Sequence, residues 1–270
     1  MEGRGDVRYR PLSVERRVVI DFLGLGERHH MMHALLEFDV TDAREKLEAH
    51  RRRTGEKISF TAYLCACLGR ALVGRPEMHC LLDRWGHLVL FDTVDITTIV
   101  EIDGPTEKFP MAHVLRGCHR RSVIDLHDEL RRVQADPEAS VNSSRWRALN
   151  YFYILPSPLR RVVYRAVTGD PVRLQRLSGT VSVSALGMFG RPLRWGIGHP
   201  TIHNLNFTIG GIVTRPVMRE GSLEEREFLL VTASMNHDIM DGAPAARFVE
   251  SFREQLEGGV PIDLLGGRDP

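Results

Sequence analysis

The 270-residue chain carries 36 Lys and Arg against 35 Asp and Glu, a formal net charge of +1, and 43% of its residues are hydrophobic. A chain of this length and composition can bury a sizeable core, and its near-neutral charge gives no overall attraction to nucleic acid or to an anionic membrane. No apolar run approaches the roughly 20 residues that cross a bilayer. The polar opening, MEGRGDVRYRPLS, contains no apolar signal core, and the four cysteines match no zinc or thioredoxin spacing, which favours a reduced, cytoplasmic compartment.

The first half of the chain predicts two helices followed by two strands. Residues 42–53, DAREKLEAHRRR, have the pattern of a solvated amphipathic helix. Ser59 begins the cap of a second helix, AYLCACLGRALVG, which is apolar nearly all round and therefore buried, with Cys65 and Cys67 as small core residues. This helix ends before Pro76, because proline forbids its continuation. The runs HLVLF and VDITTIVEI then read as strands, the second being rich in β-branched residues.

The second half begins with a helical pattern, SVIDLHDELRRVQ, and then passes through residues 136–177, the least regular part of the chain. GTVSVSALGMFG follows as an alternating strand that ends in glycines, and NLNFTIGGIVTRPV and EREFLLVTASM read as two long strands. The last helix runs from about Ala243 to Leu256. Since no repeat or long linker divides the chain, we expect one α/β domain over residues 1–270.

The segment from Ser234 to Gly242, SMNHDIMDG, joins the last strand to the last helix. A junction of this kind projects side chains into a cleft while rigid elements hold them. His237 suits general base catalysis there, because histidine exchanges a proton near neutral pH. Asp241 lies four residues on, and Gly242 permits a tight backbone path. Taken alone, the segment fits a surface histidine in a polar turn equally well, with Asp241 capping the final helix.

The pattern H-x-x-x-D-G followed by A-A-x-F resembles the C-terminal signature of the 2-oxoacid dehydrogenase acyltransferases, whose fold chloramphenicol acetyltransferase shares. Three further blocks agree in order. LSVERRVV resembles that family's S-x-x-R-K helix, EFDVTDAREKLEAHRRRTGEKISFTAYLCACLGRALVGRPEMHCLLD its second block, and GTVSVSALGMFG its G-T-F-T-I-S-N-L-G-S-F-G strand. The resemblance extends from about Leu12 to Leu265. It implies a chloramphenicol acetyltransferase-like two-layer α/β sandwich, in which helices flank a mixed β-sheet.

The resemblance also implies a reaction. His237 matches the base that deprotonates the acyl acceptor, which then attacks the thioester carbonyl of acyl-CoA. Ser184 matches the hydroxyl that stabilises the oxyanion. Thr180 and Ser182 share a strand face with Ser184, so this assignment could shift by two positions.

In the family, the aspartate of the signature is structural and pairs with an arginine of the N-terminal block. Asp241 matches that aspartate, Arg16 is the best match for the arginine, and Arg17 is the alternative. A bidentate carboxylate–guanidinium pair has a fixed geometry and would hold the histidine loop in place.

The family further implies coenzyme A as the acyl-CoA co-substrate, with no metal and no lipoyl group on this chain. We expect a homotrimer whose active site lies between subunits, with a larger cage as a possible assembly of trimers. The acceptor is a thiol, hydroxyl or amine on a small molecule or a carrier. Neither nucleic acid nor a membrane is expected as a partner.

Three departures separate the chain from the family. N-H-D replaces D-H-R around His237, and VEIDGPTEKFPMAHVL replaces the family's V-D-T-P-x-G-L-V-V-P-V-I block. Residues 136–177 form a divergent insertion, and we hypothesise that Trp146, Tyr151, Phe152 and Tyr153 line the acceptor pocket. Peripheral packing or a subunit contact is the stronger alternative, and contact with a membrane surface is a minor one.

The altered channel block also favours a competing function, a non-catalytic trimeric scaffold or assembly protein. Retention of all four site residues argues against it. Two histidine groups, His29, His30 and His33 and then His199 and His203, lack acidic or cysteine companions at metal-binding spacings, so we expect no metal there. The Arg51–Arg53 run lies on a solvated helix end, with a contact to CoA phosphates as the alternative.

Overall fold

The computed structural model describes residues 9, 11–103, 108–137, 140, 152–186 and 194–259. Its helices are α1 Val14–Gly26, α2 Thr41–Thr54, α3 Phe60–Ala71, α4 Val123–Ala135, α5 Ser157–Thr168, α6 Pro171–Ser178 and α7 Gly242–Glu257. Its strands are β1 Met31–Asp39, β2 Leu81–Leu82, β3 Leu88–Val89, β4 Ile96–Asp103, β5 Lys108–Leu115, β6 Val181–Ala185, β7 Leu205–Arg219 and β8 Ser222–Asn236. None of the helices in these ranges has the length and apolarity that a membrane span requires.

Six strands form one sheet in the order β1-β8-β7-β6-β4-β5, and β2 and β3 form a separate ribbon. The pairs β7–β6 and β6–β4 are parallel, whereas β1–β8, β8–β7 and β4–β5 are antiparallel. The predicted mixed sheet flanked by helices is therefore confirmed.

One face of this sheet carries the main hydrophobic core. Along β8, Leu229, Val231, Ala233 and Met235 alternate toward that core, as period-two geometry requires. Buried residues of α2, α3, α4 and α7 cover them. The opposite face of the same strands carries hydroxyl and amide side chains, which are described with the site below.

The predicted buried helix α3 lies at the centre of the helical layer. Its N-cap Ser59 accepts a hydrogen bond from the backbone of Ala62, and Cys65 and Cys67 are fully buried, as the sequence predicts. Gly69 is required by packing, because a Cβ there would lie 2.7 Å from the backbone carbonyl carbon of Cys118.

The structure corrects two sequence-based assignments. HLVLF contributes only the two-residue strand β3, since it pairs with nothing but the equally short β2. The part of residues 136–177 that the structure describes is more regular than expected, because α5 and α6 occupy most of it. Strands β1 and β5 were not anticipated; both are edge strands that pair with only one neighbour.

The close approach at Gly69 predicts the effect of adding one methyl group. Gly69→Ala should lower the free energy of unfolding by about 1–3 kcal/mol, because the new Cβ overpacks against backbone that cannot easily move. Gly24→Ala is the matched control, since Gly24 is also helical and has open space around it. That control should be neutral or stabilise the protein by up to about 1 kcal/mol. Equal denaturation midpoints for the two variants would contradict the packing that we describe.

Candidate active site

The loop that carries His237 is held mainly by its own backbone and by a neighbouring strand. The His237 backbone N–H donates to the carbonyl of His30, at 2.8 Å, and Met240 donates to the carbonyl of Asn236 at 3.1 Å. Met240 is buried in the main core and anchors the end of the loop. The loop is therefore fixed at both ends, while the His237 side chain remains 56% exposed.

Beneath this loop, two buried asparagines form an amide pair. Asn236 donates from its side-chain amide to the Asn204 side-chain oxygen, at 2.9 Å, and from its backbone to the Asn204 carbonyl, at 2.8 Å. Asn204 in turn donates to the carbonyl of Cys80 at 2.8 Å. The Asn236 side-chain oxygen accepts the backbone N–H of Asp238 at 3.1 Å. These bonds satisfy buried polar groups and set where the loop leaves β8.

Asp238, which stands at the arginine position of the family's D-H-R pattern, pairs with His30, a residue that precedes β1. Its carboxylate lies 2.7 Å from Nδ1 of His30, and this hydrogen bond holds the pKa of Asp238 below its usual range. Together with the His237–His30 backbone bond, this pair fastens the loop to the start of β1. The acidic residue at this position is therefore a structural element of the loop.

The predicted partners of the signature aspartate lie elsewhere. Asp241 is 84% exposed, and its carboxylate oxygen lies 3.9 Å from Nδ1 of His237. Arg16 is exposed in the first turn of α1, where its backbone N–H donates to the side chain of Ser13. Among the described residues, neither Arg16 nor Arg17 forms an ion pair with Asp241. Asp241 also occupies the N-cap of α7 without capping it through its side chain.

Ser184 lies on the polar face of the sheet, half-buried, opposite Thr208 of β7. The described part of the chain offers no hydrogen-bond partner to the hydroxyls of Ser184 or Ser182, so both are available as donors. Thr180 differs, because it is fully buried and its hydroxyl is bonded to Nδ1 of His79 at 3.1 Å. Of the three hydroxyls considered as oxyanion donors, those of Ser182 and Ser184 are therefore the better candidates.

Residues 194–203 approach this polar face closely. A Cβ at Gly198 would lie 2.7 Å from the Thr208 hydroxyl, so a larger residue there would require the Thr208 side chain to move. The backbone N–H of Gly211 also donates to the carbonyl of Arg194 at 3.0 Å. The surroundings of Ser184 are therefore shaped partly by this segment.

Sheet register places Ser184 and His237 far apart within one chain. Ser184 is paired with Thr208, which is paired with Thr232, and His237 lies five residues beyond Thr232. Five residues of strand and two strand spacings together give a separation of about 15–20 Å. The two side chains therefore cannot act on the same carbonyl within a single chain.

Two clefts flank these elements. A cleft of about 840 Å³ lies on the helical face of the sheet beside Ala185 and is bordered by α2 and the start of α3, whereas strand alternation places the Ser184 side chain on the opposite face. Its basic lining residues are Arg44, Arg51, Arg52, Lys57 and Arg131, and its acidic ones are Glu45, Glu48 and Glu227. A second cleft of about 730 Å³ lies beside Asn236 and Asp238 and is bordered by α1, α5 and α6.

The aromatic residues of the insertion were expected to line a pocket. Trp146 and Tyr151 lie outside the described residues. Phe152 and Tyr153 form a cluster with Tyr164 of α5, in which the two tyrosine hydroxyls are 2.7 Å apart. Tyr164 lines the second cleft, whereas Phe152 and Tyr153 pack behind it.

The histidine groups do not assemble into a three-ligand set within the described ranges. A different group, Glu56, His127 and Asp128, does bring its ligand atoms within 4.8 Å of one another. His127 already accepts the Ser59 backbone N–H through Nδ1, and burial lowers its pKa. His127 thereby connects α4 to the N-cap of α3.

Comparison with known proteins identifies relatives of this chain. Residues 159–265 match the family model of the catalytic domain of 2-oxoacid dehydrogenase acyltransferases. The dihydrolipoyllysine-residue acetyltransferase component of the pyruvate dehydrogenase complex of Zymomonas mobilis is 23% identical over 259 residues, which cover 94% of this chain and 50% of that protein. The lipoamide acyltransferase component of the branched-chain alpha-keto acid dehydrogenase complex of Pseudomonas aeruginosa is 28% identical over 109 residues, 40% of this chain and 25% of that protein. The chain thus spans half or less of the length of these relatives.

Solved structures show the same fold. The dihydrolipoamide acetyltransferase of Azotobacter vinelandii superposes with a TM-score of 0.71 at 17% identity, covering 96% of this chain and 95% of that one. A probable dihydrolipoamide acetyltransferase of Listeria monocytogenes gives a TM-score of 0.69 at 14% identity and covers 99% of both chains. The resemblance that the sequence motifs predict is confirmed, together with the fold.

Two buried histidines near the site predict a pH dependence of stability. Burial lowers the pKa of His203 and of His79 to about 4, from an ordinary value of 6.5. Below pH 6.5 the unfolded chain therefore binds protons that the folded chain does not, so this stability is complete above pH 6.5 and is lost as the pH falls toward 4. Each histidine should lower the free energy of unfolding by about 2 kcal/mol between roughly pH 7 and pH 5, measured by chemical denaturation. His203→Gln should remove its share of this loss; an unchanged pH profile in that variant would contradict the assignment.

Proposed function

We propose that this chain, a relative of the catalytic domains of the 2-oxoacid dehydrogenase acyltransferases, transfers acyl groups between coenzyme A and an acceptor, with His237 as the general base. The supporting observation is the loop geometry. The His237 backbone is bonded to His30 and its loop is anchored by buried Asn236, while its imidazole remains 56% exposed. A general base needs this combination of a fixed position and access to substrate. We propose that residues 1–270 form this single catalytic domain.

In the proposed reaction, the imidazole of His237 removes the proton from the acceptor or from the thiol of CoA, and the resulting nucleophile attacks the acyl carbonyl. The carbonyl oxygen then becomes an oxyanion, and collapse of the tetrahedral intermediate expels the leaving group, which recovers the proton. Asp241, whose carboxylate lies 3.9 Å from Nδ1 of His237 and therefore beyond hydrogen-bond distance, has a structural role in this proposal and carries no proton. No covalent enzyme intermediate is required.

Ser184 is the proposed donor to the oxyanion. Its half-buried hydroxyl has no competing partner in the described part of the chain, and it projects from a central, rigid strand. Ser182 remains the alternative. The catalytic mechanism of the Azotobacter vinelandii acetyltransferase has been investigated through a serine, a histidine and an asparagine four positions after the histidine. Asp241 stands at the same spacing after His237.

The separation of about 15–20 Å between Ser184 and His237 supports a site shared by two subunits. We propose a homotrimer in which His237 of one chain faces Ser184 of its neighbour. One structural relative is the cubic core of a pyruvate dehydrogenase complex, with a TM-score of 0.70, so a cage of trimers is a further possible assembly.

The basic cleft beside Ala185 is the proposed site for coenzyme A, whose phosphates carry several negative charges. Arg44 and Arg51 are already paired with Glu227 and Glu48. Within the described ranges, Arg52 and Lys57 form no ion pair, so their charges are available to a phosphate. Lys57 also precedes Ser59 at the N-terminus of α3, where the helix dipole adds positive potential.

The acceptor must offer a thiol, hydroxyl or amine. A dihydrolipoyl group on a partner protein fits the names of the relatives, and a different small molecule fits the replaced block between Val100 and Leu115. A non-catalytic trimeric scaffold is the competing function. It is favoured by that same block and by the absence of an Arg16–Asp241 ion pair among the described residues.

Replacing the base tests the proposed function directly. His237→Ala should reduce acyl transfer from acyl-CoA by several orders of magnitude, and Ser184→Ala by about 100-fold, as for loss of one oxyanion donor. Thiol release from a panel of acyl-CoAs, with and without acceptors, measures both. His87→Ala is the matched control, because His87 is an exposed histidine on the β2–β3 turn beside its own aspartate. Equal rates in His237→Ala and His87→Ala, or no CoA binding by the wild type, would favour the scaffold.

Removing a cation from the basic cleft should affect CoA binding more than chemistry. Lys57→Ala should raise the KM for acyl-CoA about tenfold and leave kcat within about twofold, because a phosphate contact binds substrate and transition state equally. Arg219→Ala, at the exposed end of β7, is the control for loss of one positive charge. An unchanged KM in Lys57→Ala would place coenzyme A elsewhere.

A further inference from the structure

Helix α5, in the divergent insertion, is oriented with its polar face toward the protein. Arg160 donates to the carboxylate of Asp21 in α1, at 2.7 Å, and Tyr164 bonds to Tyr153. Arg161 and Arg165 border the second cleft on the same side. None of the side chains of α5 is buried.

The apolar face of α5 points outward. Leu159, Val162, Val163 and Ala166 lie within about 100° of one another on the helix, since residues three and four apart share a face. The exposed large side chains of this face and of the turn before it are Ile154 (78%), Leu155 (38%), Leu159 (53%), Val162 (63%) and Val163 (43%). An amphipathic helix normally buries this stripe against its own domain. A contiguous exposed patch of this kind marks an interaction surface.

The charge of this region indicates what covers the stripe. Residues 152–178 contain five arginines and one acidic residue, although the whole chain has a net charge of only +1. The arginines are Arg160, Arg161, Arg165, Arg173 and Arg176, and the acid is Asp170. Arg161 and Arg165 are exposed and take part in no ion pair within the described ranges. Arg160 is paired with Asp21 and Arg173 with Asp170, so in the described part of the chain the unpaired positive charge among these arginines is that of Arg161, Arg165 and Arg176, which lie on the helices that carry or adjoin the apolar stripe.

We propose that α5 and the turn before it form a docking surface for an anionic lipid bilayer. An apolar stripe flanked by arginines matches the two layers of such a surface, because the aliphatic side chains enter the acyl region while the guanidinium groups reach the phosphates. A second copy of the same face is disfavoured, since it would bring two sets of unpaired arginines together. Helix α5 lies on the surface and is much too short to cross the bilayer.

The position of α5 links this surface to the loop that carries His237. The second cleft is bordered on one side by Arg161 and Tyr164 of α5 and on another by Asn236 and Asp238. Docking through the outer face of α5 places this cleft beside the lipid headgroups. Docking of this kind would set the location of the protein and is independent of the proposed acyl transfer.

Vesicle flotation with the full chain tests the proposal. The protein should float with vesicles of equal parts phosphatidylcholine and phosphatidylglycerol, should not float with phosphatidylcholine alone, and should be released at high salt. Val162→Asp combined with Val163→Asp should reduce the bound fraction about tenfold or more, because charged side chains resist entry into the bilayer. Arg161→Glu combined with Arg165→Glu should reduce it to a similar extent, about tenfold.

The matched control replaces two apolar residues at the tip of the β7–β8 hairpin, Met218→Asp with Leu223→Asp, whose exposures are 68% and 69%. This control should bind vesicles as the wild type does. Circular dichroism and light scattering accompany each variant, and the fold and the oligomer mass should be unchanged. No binding by the wild type, or equal binding by wild type and both α5 variants, would overturn the proposal. A changed oligomer mass in the Val162 and Val163 variant would also overturn it, since the stripe would then be a contact between protein chains.

Discussion

The amide pair between Asn204 and Asn236 determines how the rest of this site is arranged. It joins Asn204, the residue before β7, to Asn236, the last residue of β8. The alignment of these two antiparallel strands is therefore fixed at this end of the sheet. An unpaired amide at this depth would cost about 1–3 kcal/mol, so the two side chains strongly favour this single arrangement. The third bond, to the carbonyl of Cys80, ties the same point to the ribbon of β2 and β3. The loop of His237 therefore begins at a position that hydrogen bonds connect to β7 and to the ribbon of β2 and β3.

This arrangement gives the N-H-D segment a physical explanation. Asn236 is a better residue than a carboxylate for a buried position that must both donate to Asn204 and accept from Asp238. Asp238 accepts from His30, and the two changes on either side of His237 both serve to hold the loop to the strands beside it. The imidazole of His237 between them is left exposed. Its nitrogens form no hydrogen bond with the side chains that hold the loop, which are those of Asn204, Asn236, His30 and Asp238.

Apolar patterning along the sequence predicted α3, α4, α7 and the two long strands. It did not find β1, because MMHALLEFD shows little polar alternation and becomes a strand through pairing with β8. His237 was found from its motif, but the Asn204–Asn236 pair joins positions 32 apart and His30–Asp238 positions 208 apart, for which no local signal exists. The pairing of Asp241 with Arg16, which the resemblance implies, is not formed among the described residues. For α5, periodicity can reveal two faces, but only the structure shows that the apolar face is turned away from the domain.

The distance between Ser184 and His237 has a consequence for how such a protein would be regulated. Ser184 lies within β6 and His237 follows directly after β8 of the same sheet, and the loop of His237 is held at both ends, so a movement of this loop would not close a distance of about 15–20 Å. If both residues are needed, a working site forms only where two chains associate. The number of such sites then falls more steeply than the protein concentration itself. A cell could then switch the activity off by dilution alone, through lower synthesis or through dispersal, while every chain stayed folded.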